Sequence, residues 1–183
     1  TVTKNAWGID IFGSSNCIID DNTVTDNTVY GVSLWDHSGG STINGNTATN
    51  NEYGIYLRLS GGCIISNNTV SDNNEGIYLE SSDCYIYHNN FINNARQVHS
   101  ISSKSSWDDG YPSGGNYWSD YTGTDVKRGP NQDQLGSDGI GDTRKHHVYY
   151  RADGSLQDDI SAWRARESYD QTLAYLAVGD YRN

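Results

Sequence analysis

The sequence predicts an all-β fold: a right-handed parallel β-helix, or solenoid, of about five coils. An irregular, aromatic-rich C-terminal cap and a short C-terminal helix follow it. Three observations lead there. A motif recurs every 21–24 residues through the first half of the chain. Within each copy apolar residues alternate with polar ones at period two. Asparagine is concentrated at the same place in every copy, with 16 of the 19 asparagines before residue 95.

The repeat is read from four segments: WGIDIF from Trp7, YGVSLW from Tyr30, YGIYLR from Tyr53 and EGIYLE from Glu75. Their glycines, Gly8, Gly31, Gly54 and Gly76, are spaced 23, 23 and 22 residues apart. Between them lie CIIDDNTVTDN from Cys17, STINGNTATNN from Ser41, CIISNNTVSDN from Cys63 and CYIYHNNFINN from Cys84. Thr1 to Asn5, TVTKN, reads as the tail of one more copy, so the chain opens partway through a coil and its N-terminal edge is expected to lack a cap of its own. Period two places Ile9, Val32, Ile55 and Ile77 on a buried face, with Ile11, Leu34, Leu57 and Leu79 two positions on. A second short strand carries Ile19, Ile43, Ile65 and Ile86, and a third Val24, Ala48, Val70 and Phe91. One coil cannot bury its own apolar edge, so like must stack on like to make a continuous core. Antiparallel hairpins would not demand the same residue at the same place in each copy.

Asn5, Asn27, Asn51, Asn73 and Asn94 end successive copies and are expected to form a structural ladder at a corner. Stacked amides hydrogen-bond along such a column, and Asn tolerates the left-handed backbone that a corner needs. Cys17, Ser41, Cys63 and Cys84 share another position. A column of small buried thiols fits it; so does a Cys63–Cys84 bridge, although parallel side chains make poor disulfide geometry.

Coils are assigned to residues 1–104. Residues 105–143 form a closing segment, in which Trp107, Tyr111, Tyr117, Trp118 and Tyr121 anchor the chain over the last coil. In the tail, 144–183, Ile160, Trp163, Tyr169, Leu173 and Leu176 recur at three- and four-residue steps and predict a helix over 156–178.

Composition limits function. A net charge of −11 excludes a nucleic-acid binder driven by phosphate neutralisation. No apolar run approaches the roughly 20 residues of a membrane-spanning helix. The outward residues of the GIYL strand make one candidate face: Asp10, Ser33, Tyr56 and Tyr78 in one column, and Phe12, Trp35, Arg58 and Glu80 in the next. Aromatic rings beside carboxylates and an Arg suit a polysaccharide, so Trp35, Tyr56, Arg58, Tyr78 and Glu80 are the candidate glycan-binding residues. The plainer reading is that these rings cover strand edges or dock the tail. Nothing fixes two carboxylates at a separation suited to glycoside hydrolysis, so no catalytic residue is assigned. Asn131, Asp133, Asp138 and Asp142, with Ser137, offer hard oxygen donors for calcium in a Gly-rich loop, or make a plain Asx-turn loop. Copper is disfavoured. There is no Met, His37, His88 and His99 are scattered, and His146 and His147 are adjacent, which on a strand points them opposite ways.

The GIYL and NNTV coils, with GYPSGGNYWSDYTG over 110–123 and GSDGIGDT over 136–143, resemble the NosD-type parallel β-helix proteins, sometimes called periplasmic copper-binding proteins. The closing signature is especially like that of the archaeal surface-protein branch. The resemblance covers about residues 1–143 and implies a secreted or surface-exposed β-helix. It also implies an aspartate-richer version of the Gly-rich loop, of which this chain keeps only Asp138 and Asp142. The favoured expectation is a non-enzymatic extracellular structural protein that self-associates as a sheath, surface-layer or filament subunit. The alternative is a polysaccharide-binding module or carbohydrate-active enzyme, hydrolase or lyase, that uses the aromatic face.

Overall fold

Strand sterics and repeat length together set the architecture seen in the computed structural model, which describes residues 1–131, 133–139 and the backbone of 149–150. Each coil contributes one six-residue strand and two three-residue strands. The long strands are β2 (Trp7–Phe12), β5 (Tyr30–Trp35), β8 (Tyr53–Arg58), β11 (Glu75–Glu80) and β14 (Arg96–Ile101). The first short set is β3 (Ile18–Asp20), β6 (Thr42–Asn44), β9 (Ile64–Ser66) and β12 (Tyr85–Tyr87). The second is β1 (Val2–Thr3), β4 (Thr23–Thr25), β7 (Thr47–Thr49), β10 (Thr69–Ser71) and β13 (Asn90–Ile92). Every coil strand pairs in parallel with its counterparts in the coils before and after it. The second short set builds sheet A, the long strands sheet B and the first short set sheet C. Ile55 lies opposite Ile77 and Val32, and Leu57 opposite Leu79 and Leu34. This is the parallel β-helix expected, with about five turns.

The core is a column of like residues. Val32, Ile55 and Ile77, Leu34, Leu57 and Leu79, and Ile43, Ile65 and Ile86 are all fully buried. Gly54 shows how closely neighbouring coils approach. A Cβ there would lie 2.6 Å from Val70, 2.7 Å from the Gly76 carbonyl and 2.8 Å from Asn73 Nδ2. No side chain fits without displacing backbone.

Three side-chain ladders hold the corners. In the expected one, Asn27, Asn51 and Asn73 each send backbone N–H and Nδ2–H to the Oδ1 of the next member, at 2.9–3.2 Å. Asn5 joins only through its backbone N–H and is exposed, and Asn94 closes the column on Gln97 Oε1. A second ladder, not singled out by the sequence reading, runs through Asn22, Asn46, Asn68, Asn89 and Asn116 with the same bonds. A third uses serine: the N–H groups of Ser14, Ser38, Ser60 and Ser82 donate to the hydroxyls of Ser38, Ser60, Ser82 and Ser103. The left-handed backbone belongs to the residue before each rung, not to the rung as the sequence reading had it. Asp26, Asn50, Asp72 and Asn93 precede the first ladder with φ near 50–56°.

Within the residues 1–104 assigned to coils, β14, RQVHSI, continues sheet B in register with β11 although it has lost the Gly-Ile-Tyr-Leu signature. The closing segment is also more regular than loops. Ser106 bridges to Tyr85 at the edge of sheet C and β15 (Tyr117–Trp118) pairs with β13 in sheet A, while from the tail β18 (Tyr149–Tyr150) pairs with β14 in sheet B. Each sheet thus receives one more backbone segment. Trp118 stacks on Phe91, centroids 4.5 Å apart, and Trp107 is buried beside it. A small antiparallel pair, β16 (Lys127–Arg128) with β17 (Gln134–Leu135), forms a separate two-stranded sheet. Among the described residues there is no helix; the helix expected over 156–178 lies outside them.

Truncating a buried rung leaves several donors and acceptors without partners. Asn73→Ala removes the acceptor for two Asn51 donors and the donors to Ala48 O and Asn94 Oδ1. It is expected to cost about 2–4 kcal/mol, read as a lower urea midpoint with unchanged m-value. Asn74→Ala, whose side chain bonds only the exposed Glu52 carboxylate, should cost far less; equal losses would overturn the ladder account.

Candidate functional site

Alternation puts every second residue of the long strands on the outer face of sheet B. Cross-strand register stacks the outer residues in columns: Trp7, Tyr30, Tyr53, Glu75 and Arg96 at the strand starts; then, in alternation with the core, Asp10, Ser33, Tyr56, Tyr78 and His99, and Phe12, Trp35, Arg58, Glu80 and Ile101. All five residues singled out from the sequence therefore stand on one face, as the spacing predicts. The first column, three residues before the second and out of phase with it, widens the face through ring contacts with Tyr56 and Tyr78.

The rings pack on one another. Tyr56 and Tyr78 stack at 4.8 Å with planes 5° apart, and Trp35 lies over Tyr56 at 4.6 Å. Tyr30 meets Tyr56 at 4.7 Å and Trp35 edge-on at 5.2 Å; Tyr53 meets Tyr78 edge-on at 5.6 Å. Tyr56 is consequently only 7% exposed, the hub of the cluster and not its surface. The accessible rings are Trp7, Phe12, Tyr30, Trp35, Tyr53 and Tyr78.

Polar groups frame the rings. The Asp10 carboxylate accepts from the Ser33 hydroxyl and from Trp35 Nε1–H at 2.9 Å, which fixes the indole. Arg58 Nε–H donates to Glu80 Oε1 at 3.2 Å, and Tyr78 O–H donates to Glu80 Oε2 at 3.4 Å. The Arg58–Glu80 pair is half-exposed, so it adds under about 1 kcal/mol to stability and serves mainly to orient both groups. At the far end Glu75 is nearly buried. Its Oε1 takes Arg96 Nη1 at 3.1 Å, while Oε2 is buried with no partner among the described residues. Arg96 Nη1 also lies 2.8 Å from His99 Nδ1, which is itself 3.3 Å from Glu75 Oε1, so the three side chains form one cluster. Each carboxylate of the face is thus held by a donor of the same face.

Of the calcium candidates, Asn131, Asp133 and Asp138 are among the described residues. Asp138 Oδ2 accepts from Gly129 N–H at 3.0 Å. The organiser of that loop is Asp125, which the sequence reading did not include: it accepts from Ser137 Oγ–H, Asp138 N–H and Gly139 N–H. Asn131 and Asp133 are exposed, and Asp142 lies outside the described residues, as do His146 and His147. Among the described residues no three His, Cys, Asp or Glu side chains gather as a metal would need. The cysteines are free thiols. Cys63 and Cys84 are buried in contact, and donation to Cys63 together with burial pushes the Cys84 thiol upward, while Cys17, in the first coil, is only half-buried.

A parallel solenoid with Asn-laddered corners and an aromatic outer strip defines the class: a β-helix repeat protein. Residues 1–123 match the family described as "Periplasmic copper-binding protein (NosD)", and the chain belongs to that family. Neither the curated proteins nor the solved structures yield a match. The family description names copper, but the donor sets among the described residues do not fit it: His37, His88 and His99 stay apart, and Cys63 and Cys84 have no third ligand beside them. No helix of the described residues is long and apolar enough to cross a membrane.

Burial raises the phenol pKa of Tyr56 and Tyr78, with nearby tyrosines adding to it at Tyr56 and Glu80 at Tyr78, which is pushed up to about 12. A folded pKa above the unfolded 10 means that the stabilisation is complete below pH 10 and is lost as pH climbs toward 12. Melting temperature should therefore fall across pH 10–12, and Tyr78→Phe should flatten that fall. A wild-type slope retained in the variant would contradict the assignment.

Proposed function

We propose that this chain is a non-enzymatic, extracytoplasmic structural protein whose sheet B face binds polysaccharide. The observation that carries the reading is the locked ring cluster framed by Asp10, Arg58 and Glu80. Sugar C–H faces stack on aromatic rings, and hydroxyls exchange hydrogen bonds with carboxylates and guanidinium groups. Rings already held by their neighbours lose little rotamer freedom on binding, which favours affinity. Successive strands stand about 4.8 Å apart, so five strands offer a track about 20 Å long, suited to several consecutive sugar units. The family description, periplasmic, supports a location outside the cytoplasm. The engagement of every carboxylate on the face supports recognition over catalysis.

The test is a glycan array followed by affinity measurement. Trp35→Ala and Tyr78→Ala are each expected to weaken binding about tenfold or more, as removal of an aromatic anchor does. A folded wild-type chain that binds no glycan, or binding that survives both substitutions, would defeat the reading.

A second reading, lateral self-association, is favoured by sheet C. Its outer column is Ile18, Thr42, Ile64 and Tyr85, with Ile18 78%, Ile64 38% and Tyr85 56% exposed. Such an apolar column suits a second copy of the chain. Light scattering should show association at high concentration that Ile64→Lys with Tyr85→Lys abolishes; a wild-type monomer throughout would refute it.

A further inference from the structure

Sheet A faces outward with a different chemistry from the other two. Register aligns Thr23, Thr47, Thr69 and Asn90 in one column, and Thr3, Thr25, Thr49, Ser71 and Ile92 in the next. The strands read Thr-Val-Thr, Thr-Ala-Thr and Thr-Val-Ser, with Val24, Ala48 and Val70 turned fully into the core between the paired hydroxyls. No charged side chain stands in either column, although the chain carries a net charge of −11 and sheet B bears five charged residues, Asp10, Arg58, Glu75, Glu80 and Arg96, across its three outer columns. Among the described residues the hydroxyls of Thr3, Thr23, Thr25, Thr47 and Thr69 make no hydrogen bond to protein; only Thr49 and Ser71 bond each other, at 2.9 Å.

We propose that this threonine array is a binding face for ice, the crystalline form of water. The parallel ladder repeats each hydroxyl every ~4.8 Å down a column, and the pleat sets the two columns ~6.6 Å apart. The first spacing lies close to the basal repeat of the hexagonal ice lattice, and the second is somewhat shorter than its axial repeat. A threonine offers a hydroxyl to one lattice position and a methyl group to the adjoining hollow, and its branched Cβ restricts χ1, so the array is rigid along its length. The Asn ladders at both ends of the short strands, Asn22–Asn46–Asn68 on one side and Asn27–Asn51–Asn73 on the other, hold successive strands in register. Hydroxyls left open by the protein are hydrated, and water ordered on a lattice-matched grid joins a growing ice front with little rearrangement. Charges would order water in shells centred on themselves, and the columns have none. The face is on a different sheet from the proposed polysaccharide strip, so the two readings fail independently.

The experiment uses the full chain in an ice-recrystallisation assay and a crystal-shaping assay by nanolitre osmometry. Wild type is expected to shape ice crystals and to suppress recrystallisation. Thr25→Tyr with Thr49→Tyr blocks the centre of the array with residues that strands accept, and should reduce the effect about tenfold. Thr25→Ser with Thr49→Ser keeps the size small and the fold safe while removing the methyl groups and the χ1 restriction, and should also reduce it. Thr42→Tyr, on the outer face of sheet C, should behave as wild type. Circular dichroism establishes that each variant is folded. A folded wild type without effect on ice, or full activity in the folded tyrosine pair, overturns the proposal. Binding to crystalline cellulose that the tyrosine pair abolishes, in a chain inert toward ice, overturns it too and assigns the array to a polysaccharide surface.

Discussion

Everything in this molecule depends on the in-register parallel ladder between coils. Once Ile55 lies over Ile77 and Leu57 over Leu79, each apolar column is continuous, and each outward column is fixed as well. Sheets alone would leave the corners, where the backbone turns and polar groups point inward, without partners. The two Asn ladders and the serine ladder meet that need by giving the turning backbone N–H groups side-chain acceptors in the neighbouring coil. Buried amide groups left unpaired would each be costly, so the columns at the corners are as much a requirement of the fold as the apolar ones.

The fold was legible because its signals are repeated. A single Gly-Ile-Tyr-Leu segment is ambiguous, but four at near-constant spacing fix strand, face and register together. What escaped was written once or in weak letters. Strand β14 kept the alternation of buried Val98 and Ser100 but exchanged glycine for Gln97, so the motif was gone while the geometry persisted. The second Asn ladder was visible as Asn22, Asn46 and Asn68, yet its last rung, Asn116, lies in the closing segment and belongs to it only in three dimensions. The backbone segments that finish each sheet come from a region without repeat, where no periodicity marks them.

The candidate face was legible as a set of columns and not as a surface. Alternation placed Trp35, Tyr56, Arg58, Tyr78 and Glu80 together, which the register reproduces. It could not show that Tyr56 is enclosed by its neighbours, because ring-on-ring packing depends on side-chain torsions that spacing does not encode. Nor did it show that Asp10 steadies the Trp35 indole, or that Glu75 ties Arg96 to the rim of the cluster. The three sheets present three unlike exteriors, one aromatic and charged, one hydroxylated and one partly aliphatic, over interiors that are nearly the same.

The variation in repeat length falls where it does least harm. Strands keep six, three and three residues from coil to coil, while the extra residues sit in turns: Thr28 and Val29 where the next coil has only Glu52, and Asp36 with His37 where it has only Leu59. Register is therefore insensitive to small insertions at the bends. It follows that the molecule is modular along its axis. A whole turn could be duplicated or deleted and the remaining turns would still find matching neighbours, so the number of turns, and with it the span of each exterior, is a quantity that gene duplication can adjust in single steps.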